Sequence, residues 1–399
     1  MKSEWKKLKI GDVCTIKHGY AFKGVHFCDE KTEHIVTTPG NFAISGGFKL
    51  DKPKYYRGPI PQDYILSPGD IIVTMTDLSK DGDTLGYAAI VPESDNAIFL
   101  HNQRIGLIEN ISDSIDKGFL YWLMRTYHYQ KYIVNHASGS TVKHTSPSSI
   151  ASYSFQAPPL PIQRKIASIL FALDDKIETN NAICRNLEEQ AMAVFKRCFF
   201  TYSEQLVEDK PVYDFAEYIN GAAFKQHEYG ESGLPIIKIA ELKSGLSSST
   251  LFYRGEDKDE KYYIQNGDIL FSWSGNPETS IDVFIWTRGD AILNQHIFNV
   301  KSRCEAKWFT YLMLKNYMPV FAKIASDKQT TGLGHVTVAD LKRLTFPYNT
   351  NQILDFEKEV SIYMEQVYNT LVMNNHLSNL RDTLLPKLMN GELEVETLV

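Results

Sequence analysis

The chain has 399 residues, 43% of them hydrophobic, and carries 42 Lys and Arg against 48 Asp and Glu, a net charge of −6. That length can bury more than one core and predicts two or more domains. The acidic balance excludes a chain that holds nucleic acid by charge alone, no apolar run is long enough to span a bilayer, and five scattered cysteines without a C-x-x-C pair exclude a cysteine zinc site. A cytoplasmic protein with reduced thiols is expected.

Residues 1–158 read as a mixed globule. "PGDIIVT" (Pro68–Thr74) predicts a strand entered through a Gly-Asp turn, and "FLYWLMRTYHYQKYI" predicts an amphipathic helix from Phe119 to Ile133. "APPL" at Ala157–Leu160 marks a helix entrance, where proline has a structural role. Residues 159–200 predict one long helix. Stepping four and three from Ile166 gives Leu170, Leu173, Ile177, Asn180, Cys184, Leu187, Ala191, Val194 and Cys198, a heptad seam with Asn180 as a lone polar residue. Such a residue sets register, so Asn180→Leu is expected to stabilise the coiled coil while loosening its pairing.

The second half restates the first at an offset drifting from 202 to about 190. "KHGYAFKG" (Lys17–Gly24) returns as "INGAAFKQ" (Ile219–Gln226), "PGDIIVT" as "NGDILFS" (Asn266–Ser272), and "HNQRIGLI" (His101–Ile108) as "LNQHIFNV" (Leu293–Val300). "GFLYWLM" (Gly118–Met124) matches "KWFTYLM" (Lys307–Met313), and the loop Ser138–Ser146 answers Gln329–Thr337. "WFTYLMLKNYMPVFAKI" predicts another late helix, with Pro319 interrupting and kinking it. A second seam follows after Pro347: Phe356, Val360, Tyr363, Val367, Thr370, Asn374, Leu377, Arg381, Leu384 and Leu388, with Arg381 a departure. The expected fold class is α+β. Two duplicated mixed α/β domains, 1–158 and 201–347, are joined by two long coiled-coil helices, 159–200 and 348–399, packed against each other.

Catalytic signatures are missing: there is no G-x-x-x-x-G-K-[ST], H-E-x-x-H or G-x-S-x-G. "TTGLGH" (Thr330–His335) reads as a tight loop facing a partner or DNA rather than a phosphate cradle, because its counterpart carries Ser-Thr-Val-Lys. The eleven histidines form no metal-spaced cluster. Asn102, Gln103 and Arg104 lie opposite Asn294, Gln295 and His296. Asn and Gln suit adenine and Arg suits guanine, the alternative being Asn-Gln pairs that tie strands together. Lys23 and Lys225 follow a Gly-x-x-Phe turn and reach for phosphate, or else cover the Phe with their stems. In the two matched loops, Ser140, Thr141, Lys143 and His144 answer Thr331 and His335. The equivalent histidines serve as donors to a base or phosphate, or as loop-stabilising hydrogen bonds. Residues 1–158 carry 17 basic against 16 acidic residues and 201–347 carry 16 against 19, so base edges are the expected target while other subunits grip the backbone.

With "PPLPIQRKIASILFALDDKIETNN", the "GYAFK" and "GAAFK" pair and "LMRTYHYQ…GSTVKHTSPSSI", the whole chain resembles the specificity subunit of a type I restriction-modification system. The C-terminal copy, "FPYNTNQILDFEKEV", keeps Pro347 and Gln352 but lacks the double-proline entry. The resemblance implies a non-catalytic subunit with antiparallel helices and an internal pseudo-two-fold, whose two target-recognition domains each read one half of a split sequence in double-stranded DNA. It implies two modification subunits as partners, which use S-adenosylmethionine to methylate adenine, and restriction subunits that use ATP and Mg; this chain itself would hold no cofactor or metal. The seams would then form a spacer and docking surface, and a helix from Ile162 to Phe199 would be roughly 57 Å long, enough to hold two domains about one duplex turn or more apart. A self-contained methyltransferase or nuclease is disfavoured by the missing motifs, and a purely structural coiled-coil protein by the duplicated, diverged globules.

Overall fold

The computed structural model describes residues 5–79, 82–201, 208–247, 249–255, 257–329 and 333–395. The chain divides into two compact units, Met1–Asp175 with Asn379–Val399, and Lys176–Ser378. Each long helix is thus shared between the units, dividing at Asp175 in one and at Ser378 in the other.

In the first unit a four-stranded antiparallel sheet has the order Thr15–His18, Ile105–Glu109, Ile71–Thr74, Ala88–Ile90. A second sheet has the order Phe27–Cys28, Tyr55–Tyr56, His34–Thr37, Ile98–His101, with its last pair parallel. The second unit repeats the first sheet as Ala216–Asn220, Ile297–Ser302, Ile269–Ser272, Asp282–Ile285. It repeats the other as Tyr229–Gly230, Phe252–Tyr253, Leu234–Ile237, Ala291–Leu293, again ending in a parallel pair, and adds Tyr263–Ile264 beyond it. Strand order is therefore the same in both, as duplication requires.

The repeated sequences fold for the same local reasons. In both Gly-Asp turns the aspartate carboxylate accepts the N–H three residues earlier, Ser67 at 2.8 Å from Asp70 and Gln265 at 3.0 Å from Asp268. The glycine before each is left-handed, with φ of +84° at Gly69 and +94° at Gly267, which a β-carbon would resist. The strands that follow are buried along their whole length.

Both late amphipathic helices are split in two. Lys117–Leu123 and Tyr127–Asn135 are separate, because the Thr126 hydroxyl accepts the Tyr129 N–H at 3.3 Å and starts a new helix. In the second unit Lys307–Asn316 is followed by Met318–Asp327. Pro319 does not kink a continuous helix; it sits in the first turn of the later one, where a missing N–H costs nothing.

The central helix runs Leu160–Lys196 and passes into a π-helical turn, Arg197–Thr201. Buried Gln163 pins its start: its Oε1 accepts the Asp116 N–H at 2.7 Å and its Nε2 donates to the Pro158 carbonyl at 2.7 Å. The C-terminal helix runs Thr350–Met389, shorter at both ends than the expected 348–399. Asn349 caps it, accepting the N–H groups of Asn351 (3.0 Å) and Gln352 (3.3 Å). Gly391, at φ +65°, stops it, with Glu392 N–H returning to the Lys387 carbonyl at 2.9 Å.

Within each unit the helix halves pack antiparallel along the expected seams. In the first, Ile166, Ala167 and Leu170 share a core with Leu385, Leu388 and Met389, with Leu384 at its border. Asp174 there meets Arg381 at 2.6 Å, so the departure in the second seam is an ion pair. In the second unit Val360 and Val367 are fully buried in one core with Cys184 and Ala191, bordered by Leu187, while Ile177 and Leu377 are half-buried along the pair and Leu173 is half-buried in the first unit. Asn180 is not a lone polar residue. Its Nδ2 donates to Asn374 Oδ1 at 2.7 Å, and Asn374 Nδ2 donates to Asn181 Oδ1 at 2.8 Å. Asn180→Leu alone would orphan the Asn374 acceptor, so the expected effect reverses to a loss of about 1–2 kcal/mol. The double variant Asn180→Leu, Asn374→Leu should recover most of that loss, and a double-mutant cycle by urea denaturation measures it.

Candidate nucleic-acid interface

Four loops meet along one edge of each unit, and backbone hydrogen bonds join them in the same order. In the first unit Gln103 N–H donates to the Tyr20 carbonyl at 3.0 Å, Met75 N–H to Arg104 at 2.9 Å, and Thr145 N–H to Met75 at 3.0 Å. In the second, Gln295 N–H donates to Ala222 at 2.9 Å, Trp273 N–H to His296 at 3.4 Å, and Val336 N–H to Trp273 at 2.8 Å. The Gly-x-x-Phe loop, the Asn-Gln turn, the exit of the Gly-Asp strand and the late variable loop thus lie side by side. The glycines of "GYAFK" and "GAAFK" are required by this contact. A β-carbon on Gly19 would lie 2.1 Å from the Asn102 carbonyl oxygen, and one on Gly221 would lie 2.2 Å from that of Asn294.

The edge gathers most of the residues singled out in the sequence but divides their roles. Asn102 is only 6% exposed, and its Oδ1 accepts the Arg104 N–H at 3.1 Å, so it builds the turn and does not offer its side chain outward. Gln103 and its counterpart Gln295 are half-buried, as is Asn294 opposite Asn102, while Arg104 and His296 stand exposed at the same turn position. In the first unit Ser138 and His144 close a hairpin whose tip exposes Ser140 and Thr141. Lys143 pairs with Asp77 and His144 with Thr76, and the Thr76 hydroxyl lies 3.1 Å from His144 Nδ1. In the second unit His335 pairs with Ser274. Thr331 lies outside the described residues.

Lys23 and Lys225 are exposed at the start of short 3-10 turns. Lys258 lies over the Phe of the second loop, with Nζ 5.3 Å from the centre of the Phe224 ring and 2.7 Å from Glu228, while Glu228 caps the Lys225 N–H at 2.5 Å.

One residue at the edge escaped sequence reasoning. Trp273 is half-exposed beside His296 and Phe298, with ring centres at 5.7 and 5.6 Å, and its Nε1 donates to Asn220 at 3.0 Å. A tryptophan directly after a fully buried strand, flanked by serines, was the available signal. Close behind the first edge, His101 is wholly buried and donates Nε2 to the Ile105 carbonyl at 2.8 Å; burial pushes its pKa down to about 4, so it is neutral at pH 7. Among the described residues no group of His, Cys, Asp and Glu is placed to hold a metal ion, and no helix is long and apolar enough to cross a membrane.

The duplicated edge agrees with what comparison finds. A model of the type I restriction modification DNA specificity domain matches the chain twice, over residues 2–189 and 204–380. The chain belongs to this family. Each match takes in one globule and part of the helix after it, so the two globules are its two DNA specificity domains. The specificity chain is 25% identical over 315 residues to the MjaIX type I restriction enzyme specificity subunit of Methanocaldococcus jannaschii, covering 72% of this chain and 71% of that one. It is 30% identical over 178 residues to the EcoBI specificity subunit of Escherichia coli, covering 45% of this chain and 34% of that one. Its fold is similar to the crystal structure of the type I S subunit from M. genitalium, with a TM-score of 0.52 at 15% identity over 96% of each chain.

Proposed function

We propose that each four-loop edge reads one half of a bipartite DNA target, and that the paired long helices set the gap between the halves and dock two modification subunits, giving the chain a pseudo-two-fold. Methyl transfer to adenine from S-adenosylmethionine, and ATP- and Mg-dependent cleavage, then belong to partner subunits in the cytoplasm. The observation that carries this reading is the edge itself, built twice with the same backbone contacts while its outward side chains differ: exposed Arg104 answers exposed His296, and half-exposed Trp273 stands where the first unit has the buried Met75. Equal frames with unequal side chains suit two half-sites of different sequence. The near-neutral charge of each globule leaves the backbone grip to partners.

The spacing role rests on the central helix, whose 37 residues rise about 55 Å. Four residues inserted at Asn181, with four at its packing partner Asn374, keep the seams nearly in phase and lengthen the pair by about 6 Å, close to two base pairs of rise. Methylation mapping of cells carrying the insertion should show the same bases in each half and a gap longer by one or two base pairs. Changed bases with an unchanged gap would refute the spacing role.

A further inference from the structure

In each unit the four-loop edge ends in a short two-stranded ribbon, and each ribbon carries one outward leucine beside its loop histidine. The rungs are Thr76 opposite His144 and Asp77 opposite Lys143 in the first unit, and Ser274 opposite His335 and Gly275 opposite Gly334 in the second. One step beyond the ribbons stand Leu78, directly after the strand Thr76–Asp77, and Leu333, directly before the strand Gly334–His335. They are 70% and 59% exposed. Leu78 follows Thr76 by two residues and Leu333 precedes His335 by two.

Both leucines are held out by the fold. Asp77 turns the opposite way and accepts the N–H groups of Ser79 and Thr84, each at 2.6 Å, and the Thr84 hydroxyl at 2.7 Å, which fixes the turn directly after Leu78. In the second unit the strand is pressed against the helix Met318–Asp327 so closely that a β-carbon on Gly334 would lie 2.1 Å from the Ala325 carbonyl oxygen. The residue before it is left facing solvent. Duplication does not account for the pair. In ribbon register Leu78 corresponds to Asn276 and Leu333 to Val142, so the same surface feature arises from opposite strands.

We propose that Leu78 and Leu333 are apolar wedges that enter the target duplex at a base step, one in each half-site. This rests on the reading of the edge as the DNA interface. Proteins that enter the minor groove frequently insert apolar side chains between base steps, exchanging stacking for apolar burial, and a neighbouring loop imidazole can supply a donor to the adjacent base edge or phosphate.

The test uses the full chain assembled with its modification subunits, bound to target duplexes carrying 2-aminopurine at successive positions. Binding should raise fluorescence at one step in each half-site. Leu78→Ala should abolish only the rise in the half read by the first unit, and Leu333→Ala only that in the other, each weakening target binding about tenfold with the methylated sequence unchanged. Leu78→Met, apolar and of similar volume, should keep the rise, and wild-type melting of all variants shows that they fold. Rises that survive both alanine variants, or no rise at all, in a complex that still binds its target would overturn the wedge and leave the interface reading standing. A wild-type complex without sequence-specific binding would overturn the interface reading itself.

Discussion

Asp174→Ala should be among the most damaging single substitutions in the first unit, lowering its stability by about 3–4 kcal/mol. Asp174 accepts from Arg125 at 2.7 Å with one oxygen and from Arg381 at 2.6 Å with the other. Arg125 is buried, donates also to the Ser45 carbonyl and the Tyr121 hydroxyl at 2.9 Å each, and lies 4.4 Å from the centre of the Trp122 ring. The carboxylate thus joins the central helix, the C-terminal helix and the loop at Ser45. Removing it leaves buried Arg125 without its carboxylate and Arg381 with Asp382 alone, at 2.8 Å. Asp174→Asn keeps one acceptor and should lose about half as much. Urea denaturation of the full chain checks this, and a loss below about 1 kcal/mol for the alanine variant would show that the bridge carries little of the packing.

Asp340→Ala should have a similar effect on the second unit, about 3 kcal/mol. Its carboxylate is fully buried and receives Lys328, Arg343, and both the N–H (2.7 Å) and hydroxyl (2.6 Å) of Thr337. Burial by itself would raise the pKa of this group, but the bonds from Lys328, Thr337 and Arg343 outweigh it and hold the carboxyl well below the usual carboxylate range. A depressed carboxylate stabilises the folded state fully above the unfolded pKa of about 4 and less and less as pH falls below it. The wild-type second unit should therefore lose stability below about pH 4 more steeply than Asp340→Asn. Equal acid sensitivity of the two proteins would contradict this assignment. The first unit has Ser149 at the equivalent position, whose N–H binds Ser146 at 3.2 Å, and lacks this component.

The sequence revealed what depends on periodicity and repetition. Gly-Asp turns, buried strand runs and helix seams recur in both halves, and each is a local pattern with a local cause. It misled where partners are distant along the chain. Asn180 looks alone because repeat alignment matches it with Thr370, whereas antiparallel packing brings it to Asn374. Arg381 looks like a defect because Asp174 does not lie on the seam. Asn102 carries the chemistry of a base reader, but only the turn hydrogen bond to Arg104 shows that its oxygen is already engaged. The exposure of Leu78, Leu333 and Trp273 depends on how loops far apart in sequence close over one edge, which no periodicity encodes.

The central claim, that the two edges read separate halves of one DNA target, is tested most directly by mapping methylated sites in cells carrying Arg104→Ala or His296→Ala. One lost base contact is worth about 1–3 kcal/mol of discrimination. Arg104→Ala should relax one position in one half-site by roughly ten- to a hundredfold, His296→Ala should relax a position only in the other half, and the gap should stay fixed in both. Unchanged recognition in both halves with both variants would contradict the account.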